Sequence, residues 1–528
     1  MKESKLHLSS APDYNVMPDT GKNILENFIA EFTKNKNEPF AWDATSGSST
    51  RKSFFLKSAV VSQLIKSRVK GKYVGIMLPA LQSTTLLIIA SYMAGKIPVM
   101  LNWTVGPAVL KSCCSITGLD LVITAGAFYD KVKDQVPEEV TERLIFLDKE
   151  VKNISTGMKL KGLAMAKFPS LFINTKIDET AVVLFTSGSE TVPKAVPLTH
   201  KNVVSNLAFA LRNFDIRVNS IFLSFLPPFH SFGFTVLSVL PLITAVKAAY
   251  TPNPTNIQEV VDVLRHTKSN NLIVTPTLLK MIMEKAGEED LGSVELVISG
   301  AESLHRDTFE RFREVTKKRS VIVEGYGITE CSPIVSLTPK DRPKLHSVGK
   351  IIEGLDARII DLDDKRRLPW GKEGMIVVHG DSVFNGYMDE GIEDPFMDID
   401  GRKYYRTGDL GYFDEEGYLF ITGRLKRFVK IGGEMVSMPY LERVLNEKYG
   451  ESSRQVLAVE GSDKMKETKV TLFTIKDLEL SVVNKYLREE GVGSIARIRD
   501  IKIIEEIPLL GNGKINYRAL KAVVEEEG

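Results

Sequence analysis

Cysteine is nearly missing from this chain: 528 residues contain three, Cys113, Cys114 and Cys331. Three thiols make no disulfide framework, and their spacing matches no metal-ligand pattern. A reducing, cytoplasmic setting is expected. Charge of one sign is missing too. Against 69 Lys and Arg stand 67 Asp and Glu, a formal net charge of +2. No overall field favours a nucleic acid, and none is expected as a partner. The opening residues, MKESKLHLSSAPDYNV, hold no apolar core, so no secretory signal is expected. No G-x-x-x-x-G-K-[ST] phosphate loop occurs, and no repeat or low-complexity tract.

One stretch lacks charge altogether. From Ser220 to Val246 there is no Asp, Glu, Lys or Arg, a length sufficient to cross a bilayer. Pro227, Pro228, His230, Gly233 and Pro241 interrupt it, which points to a buried strand, a turn and a core helix instead. No transmembrane span is expected; peripheral contact with a membrane stays open.

What is present is an α/β pattern on a chain too long for one core. Runs such as YVGIML (73–78), AVVLFT (181–186), NLIVT (271–275) and VELVIS (294–299) are apolar throughout. Strands buried on both faces of a parallel sheet have this composition. Helical patterns alternate with them, as in Ser303–Lys318, where Leu304, Phe309 and Phe312 punctuate charged residues. After about Gly374 short strands with Gly and Asp turns take over, followed by a compact mixed region. The expected architecture is a large N-terminal domain of stacked α/β sheets with a β subdomain, residues 1–424, and a small C-terminal α+β domain, residues 425–528.

The most informative stretch is VLFTSGSETVPKAVPLTHKNV (183–203). AVVLFT reads as a strand and THKNVVSNLAFALRNF as a helix, with a strand-to-helix loop of small residues between them. Gly188 opens backbone angles closed to other residues. Thr186, Ser187, Ser189 and Thr191 add hydroxyl donors, and Lys194 a charge suited to phosphate oxygens. A plain surface loop has the same composition. A decoy, GVGSIA (491–496), fits the dinucleotide fingerprint but follows a helix-like segment, so its required context fails.

The loop is followed by GAES (300–303), YGITE (326–330), YRTGDLGYFDEEGYLFITGR (405–424), LKRFVKIGGE (425–434) and PLLGNGK (508–514). In this order and spacing the motifs resemble the ANL superfamily of adenylate-forming enzymes: acyl-CoA synthetases, peptide-synthetase adenylation domains and luciferases. TSGSE, LNWTVG (101–106) and LPPFHSFGF (226–234) are most similar to the acyl-[acyl carrier protein] synthetase half of bacterial 2-acylglycerophosphoethanolamine acyltransferase/synthetase. The acyltransferase half needs H-x-x-x-x-D, and no histidine here has Asp five positions on, so a free-standing synthetase is expected.

The resemblance implies ATP and Mg²⁺ as cofactors and a role for each matching residue. Thr186, Ser187, Gly188, Ser189, Glu190, Thr191 and Lys194 would hold the β- and γ-phosphates. Thr191 stands where a second Gly is usual, and a β-branched residue there stiffens the loop. Lys514 corresponds to the catalytic lysine and Glu330 to the Mg²⁺ ligand. Thr329 would bond the α-phosphate, Tyr326 would stack on adenine, and Gly300 and Ala301 would lie along its edge. Asp409 would accept from the ribose hydroxyls, assisted by Arg424. His230 would gate the substrate side. Lys426 matches a hinge about which the mobile C-terminal domain alternates between two half-reactions, the second using residues 430–433.

Activation of a fatty acid to acyl-AMP, then transfer to the thiol of acyl carrier protein, is the function implied. Free CoA is the alternative acceptor. The basic runs LKRFVK (425–430) and ARIRDIK (496–502) suit an acidic carrier, although runs like these are commonly solvated charge. HSFGFT (230–235) has no acidic residue to hold an α-amine, which favours an aliphatic acid over an amino acid.

Overall fold

In the computed structural model of the protein, the described residues are 2–7, 15–173, 176–186, 193–302, 304–389, 391–431, 434–451, 454–462, 469–493, 496–509 and 515–526. The chain divides into two compact units. The first is Met1–Pro343 with Ile351–Leu355 and Gly380–Pro395; the second is Lys344–Lys350, Asp356–His379 and Phe396–Gly528. Residue 425, the expected start of the C-terminal domain, lies inside the second unit.

The first unit is built on two sheets, as the apolar runs predict. One has the strand order Leu144–Phe146, Val122–Thr124, Tyr73–Ile76, Ile97–Met100, Thr180–Thr186, Lys194–Thr199. Its pairs are parallel except the last. Val74, Ile76, Val99 and Val182 to Leu184 are buried, as strands covered on both faces must be. The other sheet runs Lys350–Ile351, Ile334–Leu337, Val321–Gly327, Leu296–Gly300, Asn271–Val274, Ile221–Ser224, Lys247–Tyr250, Pro39–Asp43, Gly47–Thr50. It is parallel from Val321–Gly327 to Pro39–Asp43, with Ile334–Leu337 and Gly47–Thr50 added antiparallel on either side.

One expectation is corrected here. Lys194–Thr199 is a strand antiparallel to Thr180–Thr186, so the phosphate-loop motif joins strand to strand, not strand to helix. The helix follows directly as His200–Leu211. Thr199 caps it, its hydroxyl accepting from the Asn202 N–H while the Asn202 side chain accepts from the Thr199 N–H.

The uncharged stretch folds as expected for a core segment. Ile221–Ser224 is a buried strand, and helical turns follow over Ser231–Phe234, Thr235–Val239 and Leu240–Ile243, the middle one widened to a π turn. Pro241 has no N–H to offer the Leu237 carbonyl, and the Ser224 hydroxyl donates to it instead, at 3.3 Å. Buried Arg51 closes the far end, its guanidinium donating to the carbonyls of Pro241, Thr244 and Val246. Among the described residues no helix is long and apolar enough to cross a membrane.

The second unit contains a five-stranded sheet in which Arg402–Phe413 pairs with Gly374–Gly380, Phe396–Ile399 and Leu419–Arg424. Beyond it lies a three-stranded sheet, Leu457–Ser462, Lys469–Thr474 and Asp500–Ile503. Leu457 and Val459 pack with helices Met438–Tyr449 and Leu480–Glu489, while Ala458 packs with helix Tyr517–Glu526. The alternation of a strand's faces separates the two layers.

Arg427 ties this region together. Its guanidinium meets Glu442 at 2.9 Å, donates to the Val459 carbonyl at 2.7 Å, and lies 3.4 Å from the Tyr517 ring centroid. Glu460 is 3.7 Å away. Burial opposes the charge of Arg427, but Glu442, Tyr517 and Glu460 hold its pKa above the ordinary range. The expectation that the basic run 425–430 faces water or a carrier is thus corrected for Arg427. Replacing Arg427 by Met leaves two buried carboxylates without their cation. A loss of about 3–5 kcal/mol is expected in denaturant unfolding of the second unit, and Arg427→Met/Glu442→Gln should recover part of it.

Candidate functional site

In the first unit the sequence motifs converge through a chain of contacts. Thr186, the last residue of its strand, faces Lys194 across the hairpin. The Lys194 ammonium stands 5.1 Å from the ring centroid of Tyr387. The Tyr387 hydroxyl donates to Glu330 Oε1 at 2.8 Å. Backbone bonds fasten the same elements: Met388 N–H to the Ala195 carbonyl, 3.1 Å, and Phe384 N–H to the Glu330 carbonyl, 2.8 Å. Thr329, beside Glu330, donates to Ser231 Oγ at 3.4 Å, and His230 precedes Ser231.

These groups sit at the carboxyl ends of parallel strands, where open α/β sheets place ligands. Tyr326 is nearly buried at the end of Val321–Gly327. Gly300, ending Leu296–Gly300, pairs with Gly325 beside it. Ala301 follows, exposed and with φ of +70°. After Tyr326 the chain folds back so that Ile328 N–H reaches the Pro333 carbonyl at 2.9 Å. A Cβ on Gly327 would come within 2.6 Å of that carbonyl oxygen, so the turn that presents Thr329 and Glu330 needs glycine. Ser187, Gly188, Ser189, Glu190 and Thr191 lie outside the described residues.

Beside His230 runs a wall of aromatic rings. His230 is 4.7 Å from Phe229, Phe229 is 4.7 Å from Trp103, and Trp103 is 4.8 Å from Phe128, centroid to centroid. Trp103 and Tyr387 were not singled out by sequence reasoning as site residues. Trp103 sits in LNWTVG, a motif that could have drawn attention to it; for Tyr387 no periodicity or spacing gave a signal.

In the second unit Asp409 and Arg424 face each other in the register of adjacent strands, with Arg424 Nε 3.0 Å from Asp409 Oδ1. Asp409 is buried and Arg424 largely exposed. The Asp409 N–H donates to the Thr407 hydroxyl, which donates to the Ile376 carbonyl. Lys426 lies in the single 3₁₀ turn Leu425–Arg427; its side chain is outside the described set. Lys514, Gly432 and Gly433 also lie outside the described residues. The three thiols are buried, and burial pushes those of Cys113 and Cys114 up, so neither is a ready nucleophile.

Residues 60–388 match the model of a family described as "AMP-binding enzyme". "Probable 4-coumarate--CoA ligase 3" of Dictyostelium discoideum is 27% identical over 480 residues, covering 86% of this chain and 86% of that protein. The fold is similar to that of ATP-bound MatB from Rhodopseudomonas palustris, with a TM-score of 0.79 at 22% identity over 96% of this chain and 100% of that one. It is also similar to O-succinylbenzoate coenzyme A synthetase (MenE) from Bacillus subtilis in complex with ATP and magnesium ion, with a TM-score of 0.76 at 20% identity over 96% and 100%.

Glu324, two residues before Tyr326, is a buried carboxyl that sequence reasoning passed over. Its Oε1 accepts the Leu304 N–H at 2.9 Å. Burial pushes its pKa from 4.5 up to about 7, and the Leu304 bond opposes that only partly. Between these values the native carboxyl keeps a proton that the unfolded chain has released, so its contribution to stability falls as pH rises through the window. Glu324→Gln keeps the acceptor and stays neutral. Unfolding free energies of the two proteins at pH 5 and at pH 7.5 should show a flatter pH dependence for the variant, by at most about 3 kcal/mol.

Proposed function

The chain belongs to the AMP-binding enzyme family, and on that premise we propose that it joins a carboxylic acid to AMP and passes the acyl group to a phosphopantetheine thiol. A carboxylate oxygen attacks the α-phosphorus of ATP, and the bond to pyrophosphate breaks. The thiolate then attacks the acyl carbon, and AMP leaves. The observation that carries this reading is the contact chain from Lys194 through Tyr387 to Glu330, with Thr329 beside it.

ATP and Mg²⁺ suit these side chains. Mg²⁺ keeps several waters and is held by one or two carboxylates plus substrate phosphates, and Glu330 offers a hard oxygen oriented by the Tyr387 hydroxyl. Among the described residues no group of three or more potential ligands is assembled. Lys194, with Thr186 and Ser187 to Thr191, would bind the outer phosphates, and Thr329 the α-phosphate. Tyr326 offers a π face to adenine, with Gly300 and Ala301 along its edge. Asp409 would accept from the ribose hydroxyls, oriented by Arg424. Lys514 would neutralise charge on the reacting phosphate.

Lys426 as hinge is supported from both sides. Arg424 is held by Asp409 in the five-stranded sheet, and Arg427 is held by Glu442 and Val459 in the C-terminal layers. We read the pivot as lying between them, which is what the expected division at 424/425 requires.

The aromatic wall of Trp103, Phe128 and Phe229 beside His230 suits an apolar acid, a fatty acid in the first instance. For the thiol two readings stand. An acidic carrier protein would use the exposed Arg497 and Arg499, but Arg427 is spent internally and Lys502 is half-buried. That thins the basic face and favours CoA, the thiol in the names of the 4-coumarate ligase and the O-succinylbenzoate synthetase above. Turnover with CoA and with holo-carrier at matched thiol concentration decides: a higher rate with CoA is expected, and the reverse restores the carrier.

Lys514→Ala should lower acyl-AMP formation by ~10²–10³-fold and leave thioester formation from supplied acyl-AMP largely intact. Equal loss in both half-reactions would remove the two-pose mechanism.

A further inference from the structure

We propose that the face formed by residues 151–171 docks on an anionic lipid surface. Large apolar side chains left in water are concentrated there: Val151 is 41% exposed, Leu160 63%, Leu163 45%, Phe168 58% and Leu171 48%. Between Val151 and Ile177 there is no Asp or Glu, while Lys152, Lys159, Lys161, Lys167 and Lys176 are all present and exposed. A chain whose formal charge is only +2 thus gathers five positive charges beside five exposed apolar side chains.

The helix Thr156–Lys167 explains why these groups point outward. Its inner side is made of small residues. Gly162 and Ala166 are buried, and a Cβ on Gly162 would come within 2.7 Å of Val60 Cα and 2.9 Å of the Ala59 carbonyl. Close packing on helix Arg51–Arg68 therefore takes up the small side and turns Leu160, Leu163 and Lys167 away from it. Past the helix end Phe168 and Leu171 are exposed as well.

An apolar stripe interleaved with lysines fits the boundary between lipid headgroups and acyl chains. Leu and Phe enter the apolar layer, and the lysine stems lie along it with their ammonium groups at the phosphates. A protein partner of ordinary composition would satisfy the apolar groups but not five unopposed cations, whereas an anionic leaflet satisfies both. The substrate reading is not needed for this inference. It does supply a use, since an apolar acid partitions into the same phase.

The test is co-sedimentation of the full chain with vesicles of phosphatidylcholine, with and without phosphatidylglycerol. Binding to the anionic vesicles is expected, falling with salt, and little to phosphatidylcholine alone. Two variants separate the contributions: Lys159→Glu/Lys161→Glu/Lys167→Glu and Leu160→Ser/Phe168→Ser. Each should lower the partition coefficient by at least ~10-fold, with the unfolding temperature and pyrophosphate exchange on a soluble acid unchanged. Three results overturn the proposal: no binding, equal binding to both vesicle types, or a dimer in sedimentation that the Leu160→Ser/Phe168→Ser variant dissociates. The last would assign the face to a second copy of this chain.

Discussion

A carboxylate taken out of water must be met by a donor or a cation, or else it takes a proton. Four carboxylates organise the functional parts of this chain under that constraint. Glu330 meets the Tyr387 hydroxyl, Asp409 meets Arg424, Glu442 meets Arg427, and Glu324 meets the Leu304 N–H. The first three pairings each join segments distant in sequence or across strands. Burial pushes the pKa of Glu324 up, and one backbone N–H opposes that only partly. Placement of the motifs thus follows from how each acid is satisfied as much as from the sheets that carry them.

The sheets themselves were legible in the sequence. Uninterrupted apolar runs predict strands covered on both faces, and they form the parallel centres of both sheets. The period of Phe309 and Phe312 predicts the buried side of Arg306–Val315. The strand Lys194–Thr199 was hidden, and Pro197 hid it. Proline inside a short run argues against a strand, because it cannot donate to a ladder. Lys194–Thr199 is the last strand in its sheet's order, and an edge strand tolerates one missing donor. The motif therefore folds as a hairpin connection, with Lys194 set in register across from Thr186 and not at the mouth of a helix.

The site was half legible for a related reason. The resemblance of the motifs points to Glu330, Thr329 and Asp409, but not to the groups that contact them. Tyr387 reaches Glu330 from a segment 57 residues away, and nothing local announces it. Arg427 reads as one more cation in a basic run. Its burial depends on Glu442, Glu460 and Tyr517, which are brought to it by two helices and a strand that form only when the domain does. Motif resemblance suggests which groups to look at; tertiary packing decides which charges remain available.

That distinction bears on the proposed pivot. Arg424 and Arg427 are anchored at 3.0 Å and 2.9 Å to different layers, so a rotation confined to the turn between them need break neither ion pair. What it must give up is the direct contact between those layers. One hydrogen bond in that contact is the Ser437 hydroxyl to the Thr422 carbonyl, long at 3.4 Å. A neutral hydrogen bond of ordinary geometry contributes about 1 kcal/mol net, and a long one less. The buried ion pair of Arg427 is thus spent within its own layer, while the Ser437–Thr422 bond between the layers is long. That is the distribution needed if the layers are to turn on Lys426 without unfolding either.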